Sequence, residues 1–181
     1  MSATPLSTPP EIAPCQPADF ATILAIVNES AVAYRGMIPA DRWHEPYMPA
    51  AELQSEIDRG VRFHGCRLDG ALVGVMGVQD VQDVTLIRHA YVRTALRSHG
   101  IGTALLAHLR QLTDRPILIG TWKAATWAIA FYRRHGFTLV GDAEYRPLLQ
   151  RYWTVPDRQI EESVVLADDR WREPGAAPAP R

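Results

Sequence analysis

The apolar run Val84–Val92 (VTLIRHAYV) passes through a short basic turn and two glycines into a helical pattern, and no other stretch constrains the fold as tightly. Its β-branched and aromatic content marks a strand, while Ile101, Leu105, Leu109 and Leu112 recur at helical spacing. Between them lies Arg97-Ser98-His99-Gly100-Ile101-Gly102. A strand that enters a helix through such a turn leaves several backbone N–H groups unpaired, with the positive end of the helix dipole behind them. That is a site for an anion, most naturally a phosphate. A dinucleotide fingerprint would need glycine at position 105, where leucine stands, and the Gly-Lys-Ser/Thr of a P-loop does not occur. Tight packing and phosphate binding both remain open from the hexapeptide alone.

The wider context separates them. Arg97-x-x-Gly100-x-Gly102 resembles the Arg/Gln-x-x-Gly-x-Gly/Ala signature of the GCN5-related N-acetyltransferase (GNAT) superfamily, in which this turn holds the pyrophosphate of acetyl-coenzyme A. Val92 precedes Arg97 by five residues, as does the family's strand-ending valine, whose neighbouring backbone meets the pantetheine arm. Further on, Ala128-Ile129-Ala130-Phe131-Tyr132-Arg133-Arg134-His135-Gly136-Phe137 is similar to the family's second signature, A-I-x-L/F-Y-x-K/R-x-G-F. The resemblance is specific over 87–137 and looser over 11–167. It implies a mixed α/β fold: a central, mostly antiparallel sheet with one splayed parallel strand pair, flanked by helices. It also implies acetyl-coenzyme A as acyl donor, held by Ala90, Tyr91, Val92, Arg97, Ser98, His99, Gly100, Ile101, Gly102 and Thr103.

Other classes find less support. With 19 basic against 20 acidic side chains and a net charge of -1, the chain has no global field for a nucleic-acid backbone or an anionic membrane. Its two cysteines, Cys15 and Cys66, have no paired spacing, which fits a reducing compartment and packing roles. No long apolar run or leader pattern occurs, so a cytoplasmic protein is expected. At 181 residues and 47% hydrophobic content, one domain over 11–171 is the expectation. The Pro/Ala/Ser-rich segments 1–10 and 172–181 are expected to be flexible tails.

Along the chain, a short strand is expected near Glu11–Cys15, then a helix with Pro17 in its first turn and Phe20, Ile23, Leu24, Val27 and Ala31 on one face. The segment 34–48 breaks that period with Gly36, Pro39 and Pro46 and interleaves Tyr34, Trp43 and Tyr47 with charges, as a pocket wall or an anchored loop would. Pro49 opens a second helix that turns Leu53 and Ile57 inward and closes at Gly60. Strands Val61–Leu68 and Ala71–Gln79 meet at the hairpin pair Asp69-Gly70, and residues 80–83 turn into Val84–Val92. After the helix from Gly100 to Leu112, Ile117–Trp122 reads as a strand parallel to Val84–Val92, reached by a right-handed crossover. A helix Ala125–His135, a strand Phe137–Val140, a helical or turn-like Arg146–Trp153 and a last strand Ile160–Ala167 complete the pattern.

Acyl transfer from a thioester to an amine needs a deprotonated nucleophile, a stabilised oxyanion and a proton for the leaving thiolate. An amine of pKa ~10 is only about one part in a thousand neutral at pH 7. The resemblance gives the acid role to Tyr132 and the oxyanion to backbone N–H near Ala90–Val92. The family often places a Glu or His base on the strand, but the matching positions are Leu86 and Arg88. His89 is one candidate base, although strand alternation turns it away from Arg88 unless a bulge intervenes; Glu45, His44, Asp83 and a water chain are the others. Arg88, Tyr34 and Trp43 are candidates for holding the acceptor, Arg88 through a carboxylate. A commonly present Asn is replaced by Ala125. No metal-ligand spacing occurs. The expectation is direct acetyl transfer to an amine, of a small molecule rather than a protein, with a homodimer in keeping with the family. The alternatives are a non-catalytic acyl-coenzyme A sensor and a scaffold that keeps only the fold.

Overall fold

The meander expected before the basic turn forms the middle of a seven-stranded sheet in the computed structural model, which describes residues 10–171. The expected tails lie outside those residues, apart from Pro10. In chain order the elements are β1 (Glu11–Pro14), α1 (Phe20–Ala31), α2 (Ala50–Asp58), β2 (Arg62–Leu68), β3 (Ala71–Val81) and β4 (Val84–Val92). They continue with α3 (Ile101–Arg110), β5 (Ile117–Trp122), α4 (Thr126–Arg134), β6 (Thr138–Leu139), α5 (Tyr145–Tyr152), α6 (Asp157–Glu161) and β7 (Ser163–Ala167). The sheet order is β1-β2-β3-β4-β5-β7-β6, and only β4 and β5 run parallel.

Local chemistry accounts for most boundaries. Asp69 and Gly70 both take positive φ, 49° and 78°, as a two-residue hairpin that matches strand twist demands. Gly60 and Gly136, at φ 98° and 85°, follow the ends of α2 and α4, where a left-handed residue is cheapest as glycine. Pro147 sits in the first turn of α5, which needs no amide there.

Several boundaries differ from expectation, among them the start of the first helix, where Pro17 opens a separate 3₁₀ turn before α1, and the end of α3, at Arg110 rather than Leu112. β3 runs two residues past Gln79, because Asp80 and Val81 pair with Thr85 and Val84 and Asp80 accepts the Thr85 hydroxyl at 2.8 Å. The turn shrinks to Gln82 and Asp83. The strand expected at Ile160 begins only at Ser163: Pro156 caps α6, Ile160 is buried on that helix, and Ser163 Oγ donates to Gln159 O. β6 keeps only Thr138 and Leu139, which pair with Ala167 and Leu166, although Val140 N still donates to Val165 O at 2.9 Å.

Alternation along the strands splits the core. Met76, Val78 and Ile87 face Leu105, Leu109, Tyr132 and Phe137 of the α3/α4 side. On the other face, Val75 meets Ile26, Val27 and Leu53 of α1 and α2, while Leu86, Leu118 and Val165 meet Leu149 and Tyr152 of α5. Gly74 permits the close seating of α3, since a Cβ there would stand 2.8 Å from Ile101. The sheet is thereby covered on both sides, and the end of β4 opens between the two helical layers.

Candidate active site

β4 and β5 pair only from Thr85↔Ile117 to Ile87↔Ile119. Beyond that, β4 stays with β3 through Val92 and β5 stays with β7 through Trp122. The two strands therefore part, and the β4 backbone from Arg88 onward faces a wedge. After β4, the turn at Thr94–Leu96 leads to Arg97, and Ser98 and Gly100 adopt φ of 65° and 81°. Among the described residues none of the amides from Ser98 to Thr103 donates to a protein group, the first helical bond being Ala104 N to Gly100 O. Six unpaired donors at the start of α3 suit a diphosphate.

A cavity of about 540 Å³ runs from this turn along β4. Ala90, Tyr91, Val92, Arg97, Ser98, Gly100, Ile101, Gly102 and Thr103 all line it. The His99 side chain does not; its Nδ1 is 2.8 Å from Arg97 O. Thr103 Oγ1 lies 3.1 Å from His135 Nε2. Ser30, at the end of α1, was not singled out from sequence, yet it closes the far side: its hydroxyl donates to Val92 O at 2.8 Å and its carbonyl accepts from Arg97 at 3.0 Å.

A second cavity, about 150 Å³, lies across the sheet opening. Tyr34, Ala90, Tyr91, Ala128 and Tyr132 belong to both walls, so the two cavities meet at the Tyr132 ring. The hydroxyl of Tyr132 has no hydrogen-bond partner among the described residues, and burial pushes its pKa well up. It stays protonated across the physiological range. The rest of the second wall mixes aromatic, aliphatic and neutral-polar groups, among them Tyr47, Trp122, Trp153, Leu149, Thr121 and Gln159, with no Asp or Glu among the described residues. Trp122 Nε1 donates to the Tyr47 hydroxyl at 3.3 Å. Burial also holds the Tyr34, Tyr47 and Tyr91 phenols above their usual values. Tyr34 lines both cavities. Trp43 does not; it packs on Tyr47 from behind, ring centroids 5.7 Å apart.

The wall nearest the parted strands carries Arg88 and His89. Gly77 faces Arg88 and Val75 faces Tyr91, so His89 and Ala90 together oppose Met76 alone. This is a β-bulge, with His89 at φ 51°. The bulge brings both side chains to one carboxylate: Glu56 Oε2 lies 2.9 Å from Arg88 Nη2 and 3.1 Å from His89 Nε2. Glu56 is buried on α2. Burial alone would raise its pKa, but the His89 hydrogen bond and the Arg88 charge hold it below the ordinary value. Arg88 also donates to Gln79 Oε1 at 3.0 Å. Its guanidinium thus holds two protein partners while Arg88 also lines the small cavity. Glu56 itself was overlooked in the sequence, although an acid three residues after the inward-facing Leu53 is a readable signal.

Burial raises the Cys15 thiol to about 11 and pushes Cys66 up as well, so neither is a ready nucleophile. No group of three or more metal-ligating side chains occurs among the described residues. No helix among them is long and apolar enough to cross a membrane.

Residues 59–139 match the family model described as the acetyltransferase (GNAT) domain. No curated protein matches the chain. Among solved structures, the chain is similar to the PaiA N-acetyltransferase of Thermoplasma acidophilum in complex with coenzyme A, at TM-score 0.67 and 16% identity over 89% of this chain and 99% of that one. It is also similar to the ribosomal-protein-S18-alanine N-acetyltransferase of Escherichia coli (TM-score 0.62, 16% identity, 94% and 99% covered). A third is the ribosomal-protein-alanine N-acetyltransferase of Brucella melitensis (TM-score 0.61, 20% identity, 87% and 98% covered).

Proposed function

We propose that this chain is an acetyltransferase of the GNAT superfamily and transfers the acetyl group of acetyl-coenzyme A directly to the amine of a compact small molecule. One observation carries the reading: a long cleft that begins at unpaired amides and a small aromatic cavity meet on the Tyr132 ring. The donor supplies an activated thioester carbonyl. Amides of the 98–103 turn bind its diphosphate, and the β4 edge in the wedge orients the arm as an added strand would be oriented. Backbone N–H groups near the Ala90 bulge stabilise charge on the reacting carbonyl oxygen.

His89 accepts the proton of the incoming amine, and Tyr132, kept protonated by burial, supplies the proton for the departing thiolate. The small-molecule reading rests on the 150 Å³ cavity and on its lack of an acidic wall residue that would recognise a polycation. Thiol release is followed with acetyl-coenzyme A and a panel of arylalkyl amines, alkyl amines, polyamines and peptides with free amino termini. Turnover with compact arylalkyl or alkyl amines is expected. Preference for peptides or polyamines would overturn the acceptor assignment, and coenzyme binding without transfer to any amine would leave a sensor.

A further inference from the structure

We propose that Glu56 is a positioning residue for acetyl transfer: from α2 it holds His89 by Nε2, so that Nδ1 is the imidazole nitrogen left to act as base. The proposal rests on the acetyltransferase reading above and names a residue outside both family signatures.

A carboxylate only accepts hydrogen bonds, so the 3.1 Å contact puts a hydrogen on His89 Nε2. In the neutral ring the lone pair is then on Nδ1, which has no protein partner among the described residues. The remaining contacts fix the carboxylate rather than compete for the ring. Arg88, the neighbour on β4, takes Glu56 Oε2 at 2.9 Å and Gln79 Oε1 at 3.0 Å, and Gln79 in turn donates to Arg59 O at 2.9 Å. Arg59, just past the end of α2, reaches Glu56 Oε1 at 3.5 Å. From β2 the uncharged Phe63 ring stacks on His89 with centroids 5.9 Å apart. The charged groups around His89 are therefore Glu56, Arg88 and, through Glu56, Arg59.

The bulge is what makes this geometry possible. A regular strand would send His89 to the opposite face from Arg88, whereas the extra residue and the left-handed His89 backbone bring both to Glu56. A left-handed conformation is uncommon for a residue other than glycine, and such positions cluster where a side chain must be re-aimed. An Arg88–Glu56 ion pair alone would need no such turn of the backbone.

The test uses the full chain and the variants Glu56→Gln, His89→Gln and the double variant. Glu56→Gln is expected to lower kcat by on the order of tenfold to a hundredfold, with the KM for acetyl-coenzyme A unchanged. In the His89→Gln background the same change should have no further effect, because Glu56 acts through the imidazole. Nitrogen-15 NMR of the wild-type ring should report the Nε2–H tautomer, and Glu56→Gln should admit the other tautomer, since an amide can donate as well as accept. An equal loss in both backgrounds, or a wild-type Nδ1–H tautomer, overturns the proposal. A wild-type protein inactive toward every amine would strike the acetyltransferase reading instead, and wild-type turnover retained in Glu56→Gln would strike the Glu56 assignment alone.

Discussion

Trp153 lies against Gly120: a Cβ built on that glycine would stand 3.2–3.4 Å from three atoms of the indole. Both residues line the small cavity, so the absent side chain sets the depth at which the ring sits. Gly120→Ala should press the indole toward the space left for the acceptor. The expected result is a rise of about tenfold in the amine KM, the equivalent of about 1.4 kcal/mol, with the affinity for coenzyme A unchanged. Calorimetric titration with coenzyme A beside steady-state amine kinetics separates the two. An unchanged amine KM would remove Trp153 from the acceptor wall.

Tyr132→Phe deletes one hydroxyl that makes no hydrogen bond among the described residues, so the fold has little to lose. On the acid role proposed for Tyr132, a drop in kcat of about 10²-fold or more is expected. Because burial raises the phenol, Tyr132 remains a donor well into alkaline pH, and loss of its proton should set no acidic or neutral limb in the wild-type rate profile. A variant turning over at the parental rate would exclude the residue from the mechanism.

How far the sequence reaches is visible in these same residues. The turn at 97–102 was legible because its requirements are local: unpaired amides, a left-handed Gly100, and an apolar period that begins at Ile101. The parallel pairing of β4 and β5 followed from chain connectivity alone. The bulge at His89 was named only as a condition, because one extra residue leaves the hydrophobic alternation of 84–87 intact. The wall of the small cavity was least legible. Trp153, Gln159 and Ser163 reach it because β7 inserts between β5 and β6, a long-range arrangement that no local period encodes. The apolar residues at 164–166 drew Ile160 into the expected strand, whereas Pro156 and the buried face of Ile160 form α6.

His64 Nδ1 is 3.1 Å from His108 Nε2, joining β2 to α3 through a contact in which one ring donates and the other accepts. Burial, with His108 and Arg62 nearby, lowers the His64 pKa below its usual 6.5. The folded state therefore resists a proton that the unfolded chain takes up, so this contribution is intact above pH 6.5 and is lost as pH falls from 6.5 toward the folded value. The melting temperature should be flat between pH 7 and 8 and fall from pH ~6.5 toward 5, before ordinary carboxylates titrate. His64→Gln should flatten that decline. An identical slope in the variant would rule out the pair as its origin.

Gly100 provides the last test, because the space where its side chain would be is empty and only its φ of 81° forbids one. Gly60 matches it, at φ 98° with nothing within 4 Å, but lies at the end of α2 away from the phosphate turn. Alanine at either position should cost about 1–2 kcal/mol of folding stability. The two should part company in the presence of coenzyme A. At about a hundredfold excess over Kd, ligand stabilises the wild-type fold by about 2.7 kcal/mol. That corresponds to a rise of about 5–10 °C in Tm for a domain of this size. Gly60→Ala should keep the full rise, whereas Gly100→Ala, whose amides no longer converge, should lose at least half of it. Equal responses to coenzyme A in the two variants would detach the 98–103 amides from the diphosphate and leave Gly100 a packing residue.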